Sequence, residues 1–243
     1  MIWQNLIATY DNMCEEWNIC PIAHTKILAH IGVMLDDNSN ILAAAKIRQS
    51  IFAPCTVKSE CRSSNTAPHL VHDKASYVTN IDVKRHSAYM EQLANYIANV
   101  DDSFCKIVFG YLQKESICND LQSIIDLRKN PNLVITFGIK GRKENTVSPQ
   151  WTKYYLSTLS QNGICAITGK PDYIPDAYPG NIRYPSDLAK LFCTKPDKLN
   201  NMPQPRVGYV ASQKIIHTLQ SFSSDWEEQG EIQMSDIQLY ANK

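Results

Sequence analysis

The 243-residue chain has no excess of either charge: 24 Lys and Arg stand against 24 Asp and Glu. A uniformly basic coat for nucleic acid is thereby excluded, although local patches are not. Long apolar runs are missing too. The longest, such as residues 27–35, is interrupted by His30 and falls short of the roughly 20 residues of a membrane-spanning helix. The first residues, Met1-Ile2-Trp3-Gln4-Asn5, carry no basic stretch leading into an apolar core, so no secretory signal is expected and the location expected is cytoplasmic. Paired-cysteine signatures are also lacking. The eight cysteines, at 14, 20, 55, 61, 105, 118, 165 and 193, include no CxxC. Cys14/Cys20 and Cys55/Cys61 are spaced more widely than common zinc-knuckle ligands. Reduced thiols are the expectation, with no metal and no cofactor.

Catalytic signatures are equally scarce. The histidines at 24, 30, 69, 72, 86 and 217 form no HxxxH or HExxH pattern, and the sequence holds no Walker or GxSxG motif. The cluster His69, His72 and Asp73 has weak metal-binding spacing. An enzyme is not expected. A small metal-dependent nuclease built from dispersed Asp, Glu and Lys stays open as an alternative.

What the chain does have is charge alternation. Net charge runs −4 over residues 1–45, +4 over 46–90, −2 over 91–130, +6 over 131–220 and −4 over 221–243. Two basic blocks between acidic ones suggest a surface that faces a polyanion.

Apolar residues Ile2, Trp3, Leu6, Ile7, Tyr10, Met13 and Trp17 recur at three- and four-residue spacing, which predicts an amphipathic helix. Residues 27–35 read as a strand, 36–40 as a turn and 41–47 as a returning strand, against the helical propensity of its alanines. Pro54 marks 51–58 as an extended edge. Residues 59–69 read as a polar loop and 72–78 as extended. Helices are expected near 88–100, 104–112, 117–127 and 151–159. Residues 133–139, LVITFGI, form the clearest strand. A turn follows at 141–145, with Lys140, Arg142 and Lys143 crowning a hairpin. A short strand is expected at 164–168 and a closing helix at 207–222. The fold class is α+β, with antiparallel hairpins, peripheral helices and no βαβ rhythm. Residues 1–130 are expected to form an N-terminal part and 131–243 a second part, or both one continuous domain.

The order of several short stretches carries a resemblance. Val57-Lys58 and Arg62-Ser63-Ser64-Asn65-Thr66-Ala67 precede His72-Asp73-Lys74-Ala75-Ser76-Tyr77-Val78. Later come Ile164-Cys165-Ala166-Ile167-Thr168-Gly169-Lys170, Asp187-Leu188-Ala189-Lys190-Leu191, and Val207-Gly208-Tyr209-Val210-Ala211-Ser212-Gln213-Lys214. This series resembles the large subunit of the type I-C (Dvulg-subtype) CRISPR surveillance complex, Cascade. Asn65 stands where that family has Gly, Lys170 where it has Glu, and Tyr178 where it has His. The resemblance covers the front part of the family protein, and the family's C-terminal helical bundle is expected to be missing.

The resemblance implies a non-catalytic subunit. It would bind the handle-binding and backbone subunits, the CRISPR RNA and the target duplex near the protospacer-adjacent motif, with cleavage left to a recruited helicase–nuclease. An alternative is a truncated mimic that occupies the complex and inhibits interference. The candidate contact loop offers Lys58, Arg62, Ser63, Ser64, Asn65, Thr66, His69 and Lys74. Arg and Lys neutralise phosphates, whereas Ser, Thr, Asn and His reach base edges or phosphate. Lys84 and Arg85 could hold the DNA backbone, as could Lys140, Arg142 and Lys143. Lys214, beside Ser212 and Gln213, is placed at a helix start that would suit phosphate.

Overall fold

The computed structural model describes residues 2–63, 65–142, 148–183, 187, 189–194 and 204–222. In chain order the helices are α1 (Ile2–Met13), α2 (Val57–Glu60), α3 (Ala75–Val78), α4 (Val83–Asn99), α5 (Ser103–Leu112), α6 (Ile117–Asp120), α7 (Ser148–Thr158) and α8 (Tyr209–Ser221). The strands are β1 (His24–Leu35), β2 (Ile41–Pro54), β3 (Asp73–Lys74), β4 (Val134–Ile139), β5 (Gly163–Ile164) and β6 (Pro171–Asp172). The chain is mixed α and β, as expected, and divides into two compact units, each assembled from separate stretches. Of the described residues, those within 2–25, 56–63 and 152–222 form one, and those within 26–55 and 65–151 form the other.

The unit containing residues 26–55 is built on a sheet of order β2-β1-β4-β3. All six β4 residues are buried, which is why LVITFGI reads as a continuous apolar run. β1 and β4 are parallel, pairing Ile31 with Ile135 and Leu35 with Ile139. β3 pairs with the other edge of β4 in the antiparallel sense, so the sheet holds both antiparallel and parallel neighbours. The link from β1 to β4 runs through β2 and several helices, so no regular βαβ spacing announces it. β1 and β2 are joined by a turn built on Asp36, whose carboxylate accepts the Asn38 and Asn40 N–H groups at 2.9 and 2.8 Å. Gly110 of α5 lets this turn sit close, since a Cβ there would stand 2.7 Å from Ser39 Oγ. Ala29, Met34, Ile47, Ile51 and Val134 form an apolar cluster.

α4 and α5 each begin on an aspartate. Asp82 accepts the Arg85 N–H at 3.1 Å and Asp102 accepts the Cys105 N–H at 3.0 Å, the usual way to satisfy first-turn donors. Tyr89, Leu93 and Tyr96 form the buried face of α4. Tyr96 meets Trp151 edge-on at 5.5 Å, and the Trp151 indole N–H donates to the Cys55 carbonyl at 3.3 Å.

In the other unit α1 packs on α8, with Trp3, Leu6 and Ile7 against a core of Cys165, Tyr178, Phe192, Val207, Ala211, Ile215 and Ile216. Gly208 caps α8. Its lack of a side chain is required, because a Cβ would lie 2.0 Å from Asp172 Oδ2. The Tyr178 hydroxyl donates to the Val207 carbonyl and accepts the Val207 N–H, at 2.7 and 3.0 Å.

Four local expectations are corrected. Within 72–78 only Asp73 and Lys74 are strand, and Ala75–Val78 is a helical turn. Helix α6 covers Ile117–Asp120 rather than extending to 127. The strand at 164–168 shrinks to Gly163–Ile164, because the Cys165 N–H and carbonyl close a turn with Lys170 and Gly169. β4 has β1 and β3 as its sheet neighbours and the next element is α7, so Lys140 and Arg142 do not crown a hairpin. Among the described residues no helix is long and apolar enough to cross a membrane. None of the eight cysteines forms a disulfide.

Candidate nucleic-acid interface

The candidate loop starts on a braced helix. Thr56 and Ser59 make a reciprocal capping box: the Ser59 N–H donates to Thr56 Oγ1 at 3.1 Å and the Thr56 N–H to Ser59 Oγ at 2.8 Å. The Val57 N–H donates to the Tyr155 hydroxyl at 2.9 Å. On this base Lys58 is exposed, Arg62 half-buried and Ser63 exposed. Ser64 lies outside the described residues.

Beneath the same helix Glu60 faces inward. The Gln213 amide donates to both of its carboxyl oxygens, at 2.8 and 2.7 Å, and Gln213 Oε1 accepts the Ala23 N–H at 3.1 Å. Burial outweighs the amide's help and pushes Glu60 up to about 8. Neighbouring Cys61 is pushed up to about 12, by burial first and then by the Glu60 charge. Burial therefore favours the protonated form of the acid at the root of the loop. Nothing local in the sequence marks Glu60, because an acidic residue inside a basic block reads as solvated.

In the second unit Asn65 is exposed and Thr66 half-buried, but the chain then turns inward: residues 67–73 are all buried. The Leu70 N–H donates to the Pro54 carbonyl at 3.0 Å. The Tyr89 hydroxyl donates to the Val71 carbonyl at 2.7 Å, and the His69 N–H to Asp73 Oδ2 at 2.8 Å. Val71 has φ 65°, a costly conformation for a β-branched residue that persists because these bonds over-determine it. His69 is 5% exposed, so its imidazole is not displayed to a ligand. The polar loop expected over 59–69 is a surface loop only to Thr66.

Lys74 is half-buried and pairs with Val134 at the start of β4. Lys84, exposed, and Arg85, half-buried, open α4. Arg85 bonds Asp82 at 3.4 Å and sits over the Tyr77 ring at 5.6 Å, which brings it to the corner that Lys74 begins. Lys140 is exposed past the far end of β4. With about 3.3 Å of rise per residue, the six-residue strand separates Lys74 from Lys140 by roughly 20 Å. Arg142 is engaged locally, donating to Ser103 Oγ at 2.8 Å and Asp37 Oδ1 at 2.5 Å; Lys143 lies outside the described residues.

Lys214 is not at a helix start. Gly208 caps α8 and Lys214 lies in its second turn, bonded to Asp11 and 5.9 Å from the Tyr10 ring centre. Two basic residues that the sequence reading did not single out, Lys46 and Arg48, are exposed on β2 at the sheet edge. Their signal was the period-two spacing of charge along a strand. Among the described residues no group of three or more His, Cys, Asp or Glu could hold a metal ion.

A family model described as CRISPR-associated protein (Cas_Csd1) matches residues 6–236. The chain belongs to the Cas_Csd1 family. No curated protein matches it. The family is that of a CRISPR-associated, Cascade-type subunit. In this Csd1 chain the recurring stretches serve largely to build the unit around α8. Arg183 donates to Asp187 through Nε and a terminal nitrogen, both at 2.9 Å. Gly208 makes room for Asp172, and Gln213 grips Glu60.

Proposed function

We propose that this Csd1 chain is a non-catalytic subunit of a type I-C surveillance complex, held by the handle-binding and backbone subunits and contacting target duplex DNA near the protospacer-adjacent motif. Lys58, Arg62 and Ser63 make the contact in one unit, with Asn65 and Thr66 next along the chain. On the other unit, Lys84 and Lys140 are separate candidates for backbone contact. The observation that carries the reading is the base of α2. A capping box, a tyrosine hydroxyl and the neutral Glu60 hold it from within, while Lys58 and Ser63 face solvent. A cation on a rigid support loses less freedom on binding than one on a flexible tail.

The test is target binding by the assembled complex at several salt concentrations, on duplexes with and without the motif. Arg62→Ala on a phosphate contact weakens all sequences and lowers the salt slope by about one unit. On a base-edge contact it lowers discrimination by roughly 1–3 kcal/mol and leaves nonspecific binding nearly unchanged. Parental binding and slope in both Lys58→Ala and Arg62→Ala would remove the DNA contact and leave a subunit that docks without reading target.

A further inference from the structure

The unit around α8 contains a cleft of about 240 Å³ that none of the residues above uses. Exposed Pro205 supplies apolar surface beside the buried Ile174, Pro175 and Tyr178, and Arg206, Asp176 and Thr194 make most of the lining polar. The walls are fixed from behind. The Asn162 side chain clasps Ile174, accepting its N–H at 2.7 Å and donating to its carbonyl at 3.2 Å. Tyr178 is locked to Val207 at 2.7 Å, and the Arg206 carbonyl accepts the Ala166 N–H at 2.8 Å. Gly163 leaves space for both the wall and the cation: a Cβ there would meet Ile174 at 2.8 Å and the Arg206 guanidinium at 3.3 Å. Among the described residues neither Arg206 nor Asp176 is in an ion pair, and the two are not paired with each other across the cleft they share.

These features select a ligand. The volume lies just below the roughly 300–1,000 Å³ of pockets for drug-sized molecules, which suits one ring system. The exposed ring of Pro205 suits one flat, weakly polar face. A single guanidinium suits one phosphate. Asp176 repels further phosphates and accepts from an amino or hydroxyl group, as Thr194 also can. We propose that the cleft holds one unstacked nucleotide, its phosphate on Arg206, its base against Pro205, and its donor edge toward Asp176 and Thr194. The nucleotide is either free or part of a single strand. This site does not depend on the Lys58–Ser63 contact, though a nucleic-acid complex is what would supply the strand.

Cys193 lines the same cleft and is the exposed cysteine of the eight, so it reports occupancy. The rate of its alkylation, located by peptide mass in the intact chain, is measured with nucleoside monophosphates, a short single-stranded oligonucleotide, a duplex and inorganic phosphate. Monophosphates or the oligonucleotide are expected to slow labelling at least about fivefold, whereas duplex and phosphate leave it unchanged. Protection by monophosphates identifies the free nucleotide as sufficient, and protection by the oligonucleotide alone identifies the strand. Arg206→Ala is expected to abolish protection and Arg206→Lys to retain part of it. Lys58→Ala, which tests the duplex contact, is expected to leave protection intact. Labelling untouched by every nucleotide, equal protection by duplex or phosphate, or protection that survives Arg206→Ala would each overturn the proposal.

Discussion

Burial favours the neutral form of an acid, and half-buried Glu60 makes this measurable. Its native pKa is about 8 against an ordinary 4.5, so between those values the folded chain holds a proton that the unfolded chain has released. The stability this contributes is complete below pH 4.5 and lost as pH rises through about 8. His24 and His217 act with the opposite sign. Each donates from Nδ1 to a backbone carbonyl, at 2.9 and 2.8 Å, and burial lowers each from 6.5 to about 4. Their contribution is complete above pH 6.5 and lost as pH falls through about 4. Two histidines outweigh one carboxyl where the windows overlap. Stability is therefore expected to peak near pH 6.5, read by denaturant unfolding followed through tryptophan fluorescence. Glu60→Gln should flatten the alkaline limb; a limb that persists in this variant assigns it to another group. Gly208 offers a second test at this scale. Gly208→Ala drives a methyl into Asp172 and is expected to cost about 1–3 kcal/mol. Combining it with Asp172→Ala should recover much of that loss, because the two effects are not independent.

Among the secondary elements, β4 bears the greatest consequence for its length. It is central in its sheet and buried throughout, and Phe137 also meets Tyr111 edge-on at 6.2 Å. Phe137→Ala is expected to cost about 3–5 kcal/mol. Ile164→Ala, on the short strand β5 with its side chain 59% exposed, should stay within about half a kcal/mol. The midpoints of a denaturant titration separate the two outcomes. The same contrast explains where local patterning succeeded. β4, α4 and α5 announced themselves because one-sided or two-sided burial repeats along them. Residues 67–78 misled because their backbone is arranged by partners outside the segment: Pro54 and Tyr89 hold Leu70 and Val71. No local period records such bonds, and a polar composition there suggested solvent where the fold supplies a core.

For the molecule as a whole, folding redistributes the charge that the sequence displays in blocks. The +6 block contributes Arg142, Arg183 and Lys214, and all three are spent on Asp37, Asp187 and Asp11. An exposed pair such as Arg142–Asp37 contributes about 0–1 kcal/mol. Arg142→Ala and Lys214→Ala are therefore expected to change stability slightly and leave the salt slope of target binding unchanged, whereas Lys58→Ala lowers it by about one unit. A drop in slope for Lys214→Ala would show that the Asp11 pair opens on binding. The candidate cations are also parted: Lys74 and Lys140 fall at opposite ends of β4, although one strand connects their neighbourhoods.

By itself the sequence determined the mixed fold class, the amphipathic helices, the buried strand 134–139 and the family, since each depends on periodicity or on the order of short stretches. Lys58, Arg62 and Ser63 were legible as candidates because charge and loop composition are local properties. Tertiary structure alone decided which cations remain exposed, that His69 is enclosed, that β1 and β4 run parallel, and that Arg206 and Asp176 share a cleft. Those outcomes depend on pairings between residues far apart in the chain, with partners chosen by burial and hydrogen-bond satisfaction in three dimensions.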